Sequence, residues 1–274
     1  MNQKKYAFYQ HIVPLRAVDH HQLELVENNQ YGFAKSVNAV YLADIEFNQA
    51  CKFYPIVFVQ HEDQIQPSAL LGLEHQVNLF VNDKGIWTVK YIPAYIRRYP
   101  FILADVPENN NELVVCIDDA APMLTTAGDT KGKGLFTEQG DSSEYLQSKV
   151  DFLKHFQQAS GSTQAFCQKL KTLDLFEPMN AQINMHKGDN LSLTGFMVVS
   201  KKKLQTLPES QLRELITTNY MQLIYEHLSS LSNLSVLVDK TAALRTIRKA
   251  KQANKVKAVK VTEAVKEAKG NKED

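Results

Sequence analysis

Two prolines seven residues apart, Pro93 and Pro100 in YIPAYIRRYPFIL, limit what this chain can become more than any other feature. Each fixes its own φ and pushes the preceding residue toward extended geometry, so Ala94 to Tyr99 has room for one helical turn and no more. That turn presents Arg97 and Arg98, flanked by Tyr95 and Tyr99. Beyond it, Phe101 to Ala104 and Leu113 to Ile117 read as two apolar strands joined through Asn109, Asn110 and Asn111, whose side chains tolerate left-handed geometry. The second strand runs straight into Asp118 and Asp119. Tyr91 to Asp119 is therefore a stiff corner followed by a hairpin, carrying two arginines and two carboxylates.

Upstream of the corner, His11 to Val18 reads as a first strand or extended arm with Leu15 and Val18 inward and Arg16 outward. His20 and His21 fall in the turn that follows. Tyr31 to Leu42 reads as a strand, and Asp44 as the cap of a short helix carrying Ile45, Glu46, Phe47 and Cys51, stopped by Tyr54-Pro55. Ile56 to Val59, Ala69 to Leu73, Leu79 to Val81 and Trp87 to Tyr91 are four short strand candidates, punctuated by Gln66-Pro67 and by the turn Asn82-Asp83-Lys84-Gly85. Such close spacing implies antiparallel pairing.

Downstream, Ala120 to Gly140 holds five glycines or prolines and reads as loop anchored at Leu135-Phe136. Ser142 and Ser143 precede a helix with Leu146, Val150, Leu153 and Phe156 at helical spacing. Gly161 is expected to break it, and Ser162 or Thr163 to cap a second helix burying Phe166, Leu170 and Leu173, the pair forming a helical hairpin. Met179 to Met185 and Leu191 to Val199 flank His186-Lys187-Gly188-Asp189 as another β-hairpin, with Gly195 permitting a bulge or close contact. Pro208 opens a long helix whose apolar face is Leu212, Leu215, Ile216, Leu223, Ile224, Leu228 and Leu231. The expected class is α+β: a mixed or antiparallel sheet from the first 118 residues, with helices packed on it. One domain is expected over 1–239, sheet-rich to 119, loop over 120–140 and helix-rich over 141–239.

Of 274 residues, 44% are hydrophobic and 22% charged, enough to bury a full core. No run approaches the ~18 apolar residues of a membrane helix, and the first residues lack a signal-peptide pattern, so the expected location is cytoplasmic. Cys51, Cys116 and Cys167 are odd in number and lie in apolar surroundings, which suits reduced core thiols. The net charge of +1 conceals an asymmetry: residues 240–274 hold 11 Lys or Arg against 4 acidic residues, a net of +7. That tail, rich in Ala, Lys and Val, reads as a helical or disordered extension whose removal leaves the fold intact. Its charge suits nucleic acid, an anionic membrane or an acidic partner, but it has no aromatics to stack on bases and no large apolar groups to enter lipid.

Several separated segments together resemble the bacterial SapC family. They are HIVPLRAV with His11 and Arg16, EFNQACKFYPIVF, ALLGLEHQVNLFV, YIPAYIRRYPFIL followed by Asp118 and by Gly134-Leu135-Phe136, LDLFEP, LTGFMVVSKKKL and IYEHLSSLSNLSVL. They span about Tyr6 to Asp239 in the family's order. The resemblance implies no assigned catalytic residues or cofactor. The family is named for an association with surface-layer genes, and its members are described beside outer-membrane receptors, flavin-dependent halogenases and cupin-like oxygenases. This implies an accessory role in modifying a peptide or small molecule.

The residues admit three functional readings. In the first, a binding or accessory protein holds a peptide or small anionic ligand, or docks a modifying enzyme. Arg97, Arg98, Tyr95, Tyr99 and Asp118 would form its site, since guanidinium presents a planar fork of donors to such anions. Internal pairing of the arginines with Asp118, Asp119 or Glu46 competes with that role, and consecutive residues on a turn point apart, so a given pocket faces one of them. Phe8, Tyr9, Tyr31, Phe33, Tyr54, Trp87 and Tyr91 add aromatic surface for a groove or for the core. In the second reading the protein is a metal-assisted or oxidative enzyme, with His11, Glu46 and His75 as ligands, helped by Asp118; His61, Glu62 and Glu74 are further candidates. No local H-x-E-x-x-H spacing supports it. The segment GDTKGKG (128–134) lacks the Gly-Lys-Ser/Thr ending of a phosphate-binding loop, and G-x-S-x-G is absent. In the third, the family name suggests a surface-layer structural protein, which conflicts with the expected cytoplasmic location.

Overall fold

The computed structural model of the protein describes residues 7–61, 64–106, 109–126, 128, 132–184 and 190–270. The class is α+β, with antiparallel pairing in every sheet. The elements in order are β1 (Ile12–Pro14), α1 (Ala17–His20), β2 (Leu23–Leu25), β3 (Ala39–Tyr41), α2 (Phe47–Ala50), β4 (Ile56–His61), β5 (Gln64–Leu70), α3 (Ala94–Arg97), β6 (Phe101–Val106), β7 (Asn109–Asp118), β8 (Leu124–Thr126), β9 (Lys133–Gly134), α4 (Glu144–Thr172), β10 (Phe176–Asn184), β11 (Asn190–Val199), α5 (Lys201–Gln205), α6 (Glu209–Thr217), α7 (Tyr220–Ser230) and α8 (Asn233–Gly270).

Among the described residues three sheets result, ordered β10-β11-β4-β5-β3, β1-β7-β6 and β8-β2-β9. The largest encloses the main core, where Phe47, Tyr54, Phe58, Phe80 and Phe166 are fully buried. A second cluster, with Phe101, Ile117, Leu135, Leu146 and Leu153, lies beneath the smaller sheets. Helix α4 touches β5, β6 and β9, one strand from each sheet.

Several sequence expectations are corrected by tertiary structure. The arm ends at Pro14 and turns into α1, where Val18 is 89% exposed rather than inward. Tyr31 to Leu42 is a 3-10 turn (Gly32–Ala34) followed by the short β3. Leu79 to Val81 and Trp87 to Tyr91 meet through a single bridge, Val81 to Trp87. Pro67 does not interrupt a strand but sits within β5 opposite Phe58; its carbonyl accepts from Leu42, so its nitrogen faces the end of β3, where no ladder donor is needed. The asparagine triplet begins β7 instead of making the turn. The expected loop over 120–140 contributes β8 and β9, both paired with β2, and its anchor Leu135 is fully buried. The long helix after Pro208 divides into α6 and α7 at Asn219, which adopts left-handed φ of 62°.

The largest correction concerns α4, which is one helix of 29 residues, capped by Ser143 accepting from the Leu146 amide. It passes straight through Gly161, because one buried stripe, Leu153, Phe156, Ala159, Thr163, Phe166 and Leu170, continues on both sides. Ser162 and Thr163 are not a cap. Thr163 Oγ1 donates to Ala159 O at 2.6 Å and accepts from the Asp44 amide at 2.8 Å, while Ser162 donates to Asp44 Oδ2 at 2.7 Å. These hydroxyls seat the 3-10 turn Asp44–Glu46 on the helix. A Cβ at Gly161 would meet nothing within 4 Å. Gly161→Ala is therefore expected to stabilise the protein by about 0.5–1 kcal/mol, read as a raised urea midpoint at unchanged slope; a destabilisation would show that the glycine serves close packing.

The segment IYEHLSSL in α7 secures the first residue of β4. Ser230 Oγ accepts from the Ile56 amide at 2.8 Å, and the fully buried His227 donates from Nδ1 to Ile56 O at 2.8 Å while Nε2 accepts from the Val199 amide at 3.0 Å. Acceptance at Nε2 requires the neutral ring, and burial, opposed by the Ile56 bond that a protonated ring would also make, pulls the His227 pKa down to about 4. In an unfolded chain the ring titrates near about 6.5. The unfolded state therefore binds the proton first, and the contribution of His227, present in full above pH ~6.5, is lost as pH falls toward 4. Between pH 7 and 4.5 the protein should lose roughly 2–3 kcal/mol through this ring. Urea titrations of wild type and His227→Asn test this: equal losses in the two proteins would assign the acid sensitivity elsewhere.

Candidate functional site

The Pro93–Pro100 corner forms as the sequence requires, with α3 occupying four residues between the prolines and a cis peptide at Tyr99-Pro100. Its two arginines part company. Arg98 turns into an aromatic cage, its guanidinium carbon 4.0 Å from the Tyr95 ring centroid, 5.6 Å from that of Phe156 and 5.8 Å from that of Tyr9. Cation–π attraction and a hydrogen bond to the Tyr9 side chain hold it there, and among the described residues its buried Nε has no hydrogen-bond acceptor. Arg97 turns outward. Its Nε donates to Ile92 O at 2.9 Å, and its guanidinium carbon lies 5.1 Å from the Phe152 centroid and 6.0 Å from that of Tyr91. Among the described residues, neither arginine is in an ion pair.

Both candidate carboxylates reach the corner without reaching an arginine. Glu46, buried, accepts at Oε1 from the Tyr91 hydroxyl and the Ala94 amide, each at 2.7 Å, and at Oε2 from the Ala43 amide at 2.9 Å. Burial raises its pKa, outweighing the three donors and the nearby Arg97 charge. Asp118, fully buried, accepts at Oδ2 from the Gln10 amide (2.8 Å) and the Tyr99 hydroxyl (3.1 Å), and at Oδ1 from the His11 amide (2.9 Å) and the Ala120 amide (3.3 Å). Burial first, then the Asp118 charge, raises the Tyr99 phenol pKa. These carboxylates are staples: one joins the 3-10 turn to the corner, the other the N-terminal arm to β7.

The three residues considered as metal ligands occupy different surroundings. His11 Nδ1 pairs with Asp119 Oδ1 at 2.6 Å on the surface, Glu46 is committed as above, and His75 is exposed on a turn. Its neighbour Glu74 is bound by Arg245 and Arg248 of α8. Among the described residues no group of three or more His, Cys, Asp or Glu is placed to hold a metal ion. The His61 side chain and Glu62 lie outside the described residues, as do residues 127 and 129–131 around the GDTKGKG segment.

Arg97 instead opens onto a cleft of about 450 Å³. One wall is the chain from Leu25 through Phe33, the second is Ile96, Arg97, Tyr99 and Phe101, and the third is the first turns of α4, with Tyr145, Ser148, Lys149 and Phe152. Burial raises the pKa of Tyr31, which the Arg97 charge opposes, so the phenol and guanidinium share one end. Across the cleft Glu27 accepts from Lys133 at 2.8 Å, Lys149 at 3.0 Å and Tyr145 at 3.1 Å. The Lys133 bond, then the Lys149 bond, draws the Glu27 pKa down to about 2. Phe33 and Tyr99, with centroids 4.3 Å apart, form the inner end and back onto Phe8, 5.1 and 5.4 Å away.

The structure thus brings Arg97 and Tyr99 to one cleft and places Arg98, Tyr95 and Asp118 behind it. Glu27, Tyr145, Lys149 and Phe152 are the residues that sequence reading missed. Their signal was present in α4: Tyr145, Ser148, Lys149 and Phe152 recur at i, i+3, i+4, i+7, a second stripe beside the apolar one.

Comparisons place these features in a family. The family model described as SapC matches residues 15–237. No curated protein and no solved structure matches the chain. The match covers well over half of the 274 residues and includes the corner, the cleft and the α7 clamp on β4, so the chain belongs to the SapC family.

Proposed function

We propose that the protein is a binding or accessory protein that holds a small anionic ligand, or the carboxylate end of a peptide, in the cleft beside Arg97. The observation that carries this reading is the state of that arginine. It is fixed at Nε by a backbone carbonyl, bonded to the Tyr91 side chain and backed by Phe152, and although the Glu46 charge lies nearby it is in no ion pair among the described residues. A guanidinium held in place with N–H groups to spare is preorganised for an incoming anion, because little further freedom is lost on binding. The rival reading as a metal-assisted or oxidative enzyme draws no comparable support, since Glu46 and Asp118 spend their oxygens on structural donors.

A thermal-shift panel of carboxylates, phosphate monoesters and short peptides tests the proposal on the full chain. Wild type is expected to be stabilised by at least one anionic compound in proportion to its concentration, and Arg97→Gln, at an exposed position, to fold normally and lose the shift. No shift with any compound, or a shift that survives Arg97→Gln, would remove the cleft as the binding site.

A further inference from the structure

The shape and charge of the cleft narrow the ligand, on the premise that the cleft binds anions at all. A volume of about 450 Å³ is near the lower end of small-molecule sites, large enough for one ring with a short acidic substituent and too small for a folded peptide segment. Its charged lining is Glu27, Arg97 and Lys149, and Glu27 also binds Lys133. Two cations against one carboxylate leave the lining a surplus of one positive charge, with Lys133 outside it adding to that charge and Glu46 behind Arg97 offsetting it, so a cationic ligand is disfavoured. A zwitterion gains nothing at its amine, because Glu27 is already satisfied by two lysines and a phenol. Between the charged ends the walls are aromatic and aliphatic. Phe152 stacks beneath the guanidinium of Arg97, Tyr31 and Phe33 are 6.1 Å apart by centroid, and Ile96 and Met123 complete the floor. Aromatic walls favour a planar, unsaturated body.

A single guanidinium with Nε occupied also decides the anion. It offers a planar edge that matches the two oxygens of a carboxylate, whereas a phosphate is met by several converging donors. We infer that the cleft takes a small aromatic carboxylate, with its ring between Phe152 and the Tyr31–Phe33 wall and its carboxylate on Arg97. Lys149 supplies long-range attraction from across the cleft while remaining paired with Glu27.

Isothermal titration of the full chain with four related probes is decisive. Phenylacetate carries ring and charge, phenylacetamide ring without charge, phenethylamine ring with the opposite charge, and acetate charge without ring. Phenylacetate should bind at least tenfold more tightly than each of the others. Arg97→Gln should erase its advantage over phenylacetamide, and Phe152→Leu its advantage over acetate. Equal binding of phenylacetamide would overturn recognition of the anion, and equal binding of acetate would overturn the aromatic class, each leaving the cleft a binding site. Silence of all four overturns the inference, and the wider panel above then decides whether the cleft binds any anion. Circular dichroism of both variants excludes misfolding as the cause of a loss.

Discussion

Asp118→Ala is expected to destabilise the protein by about 4 kcal/mol, the largest effect of any single side chain described above. The carboxylate is fully buried and takes four donors from three places: the Gln10 and His11 amides of the arm, the Tyr99 hydroxyl of the corner, and the Ala120 amide just beyond β7. Buried donors left without acceptors cost ~1–3 kcal/mol each, and water can reach only some of those exposed by the truncation. Asp119→Ala is the control. It removes only the exposed pair with His11, whose side chains are 37% and 58% exposed, and should cost less than about 1 kcal/mol. Chemical denaturation of the two variants measures the difference, and a loss below ~1 kcal/mol for Asp118→Ala would mean that the arm is not stapled through this group. A role in ligand binding predicts another outcome, near-normal stability with lost affinity, so the measurement separates the two uses of the residue.

Removing residues 240–274 should cost a similar amount, about 4 kcal/mol and on the order of 10 °C in Tm, although composition alone marks them as a dispensable tail. Helix α8 runs without a break from Asn233 to Gly270, and its early turns are built into the protein. Thr241 is 1% exposed, and Ala242 packs with Val238 and Leu234 around Leu193. Lys240 Nζ stands 5.4 Å from the Phe80 centroid. Arg245 Nε and Arg248 Nη1 grip the two oxygens of Glu74 at 2.5 and 2.7 Å, and the Glu74 side chain is only 18% exposed. Truncation exposes apolar surface and strands a partly buried carboxylate. Removing only 253–274 should change stability by less than about 1 kcal/mol. If the two truncations melt together, the contacts of α8 with Glu74 and Phe80 contribute nothing.

These cases show what the sequence could carry. The corner was legible because proline restricts backbone geometry by covalent structure, independent of context. The β10–β11 hairpin and the start of α4 after Ser142 and Ser143 were legible because alternation and helical spacing are local. The divergence of Arg97 and Arg98 followed from their adjacency on a turn, although which one faced the cleft did not. Gly161 misled because its helical penalty of ~1 kcal/mol is small beside the packing of the stripe around it. The strands β8 and β9, of three and two residues, carry too little pattern to announce themselves. Glu27 and Lys149 are 122 residues apart, and no local rule pairs them. The carboxylates Glu46 and Asp118 were visible as special, but sequence could not tell a staple from a ligand group, since both require the same side chain.

The clamp on Ile56 has a consequence for how the chain is made. Its amide and carbonyl are claimed by Ser230 and His227, 174 and 171 residues later. A nascent chain therefore completes the corner, the hairpins and α4 while the first residue of the central strand β4 still lacks both partners. The edge of β4 to which β11 docks through Met197 and Phe58 is filled earlier, once residues 190–199 are made. Such closure by distant segments makes assembly late and cooperative. The segment IYEHLSSL is then the point at which translation locks the central strand: a chain stopped before residue 190 carries an open β4 edge, and one stopped before residue 227 a paired strand whose first residue is still unclamped.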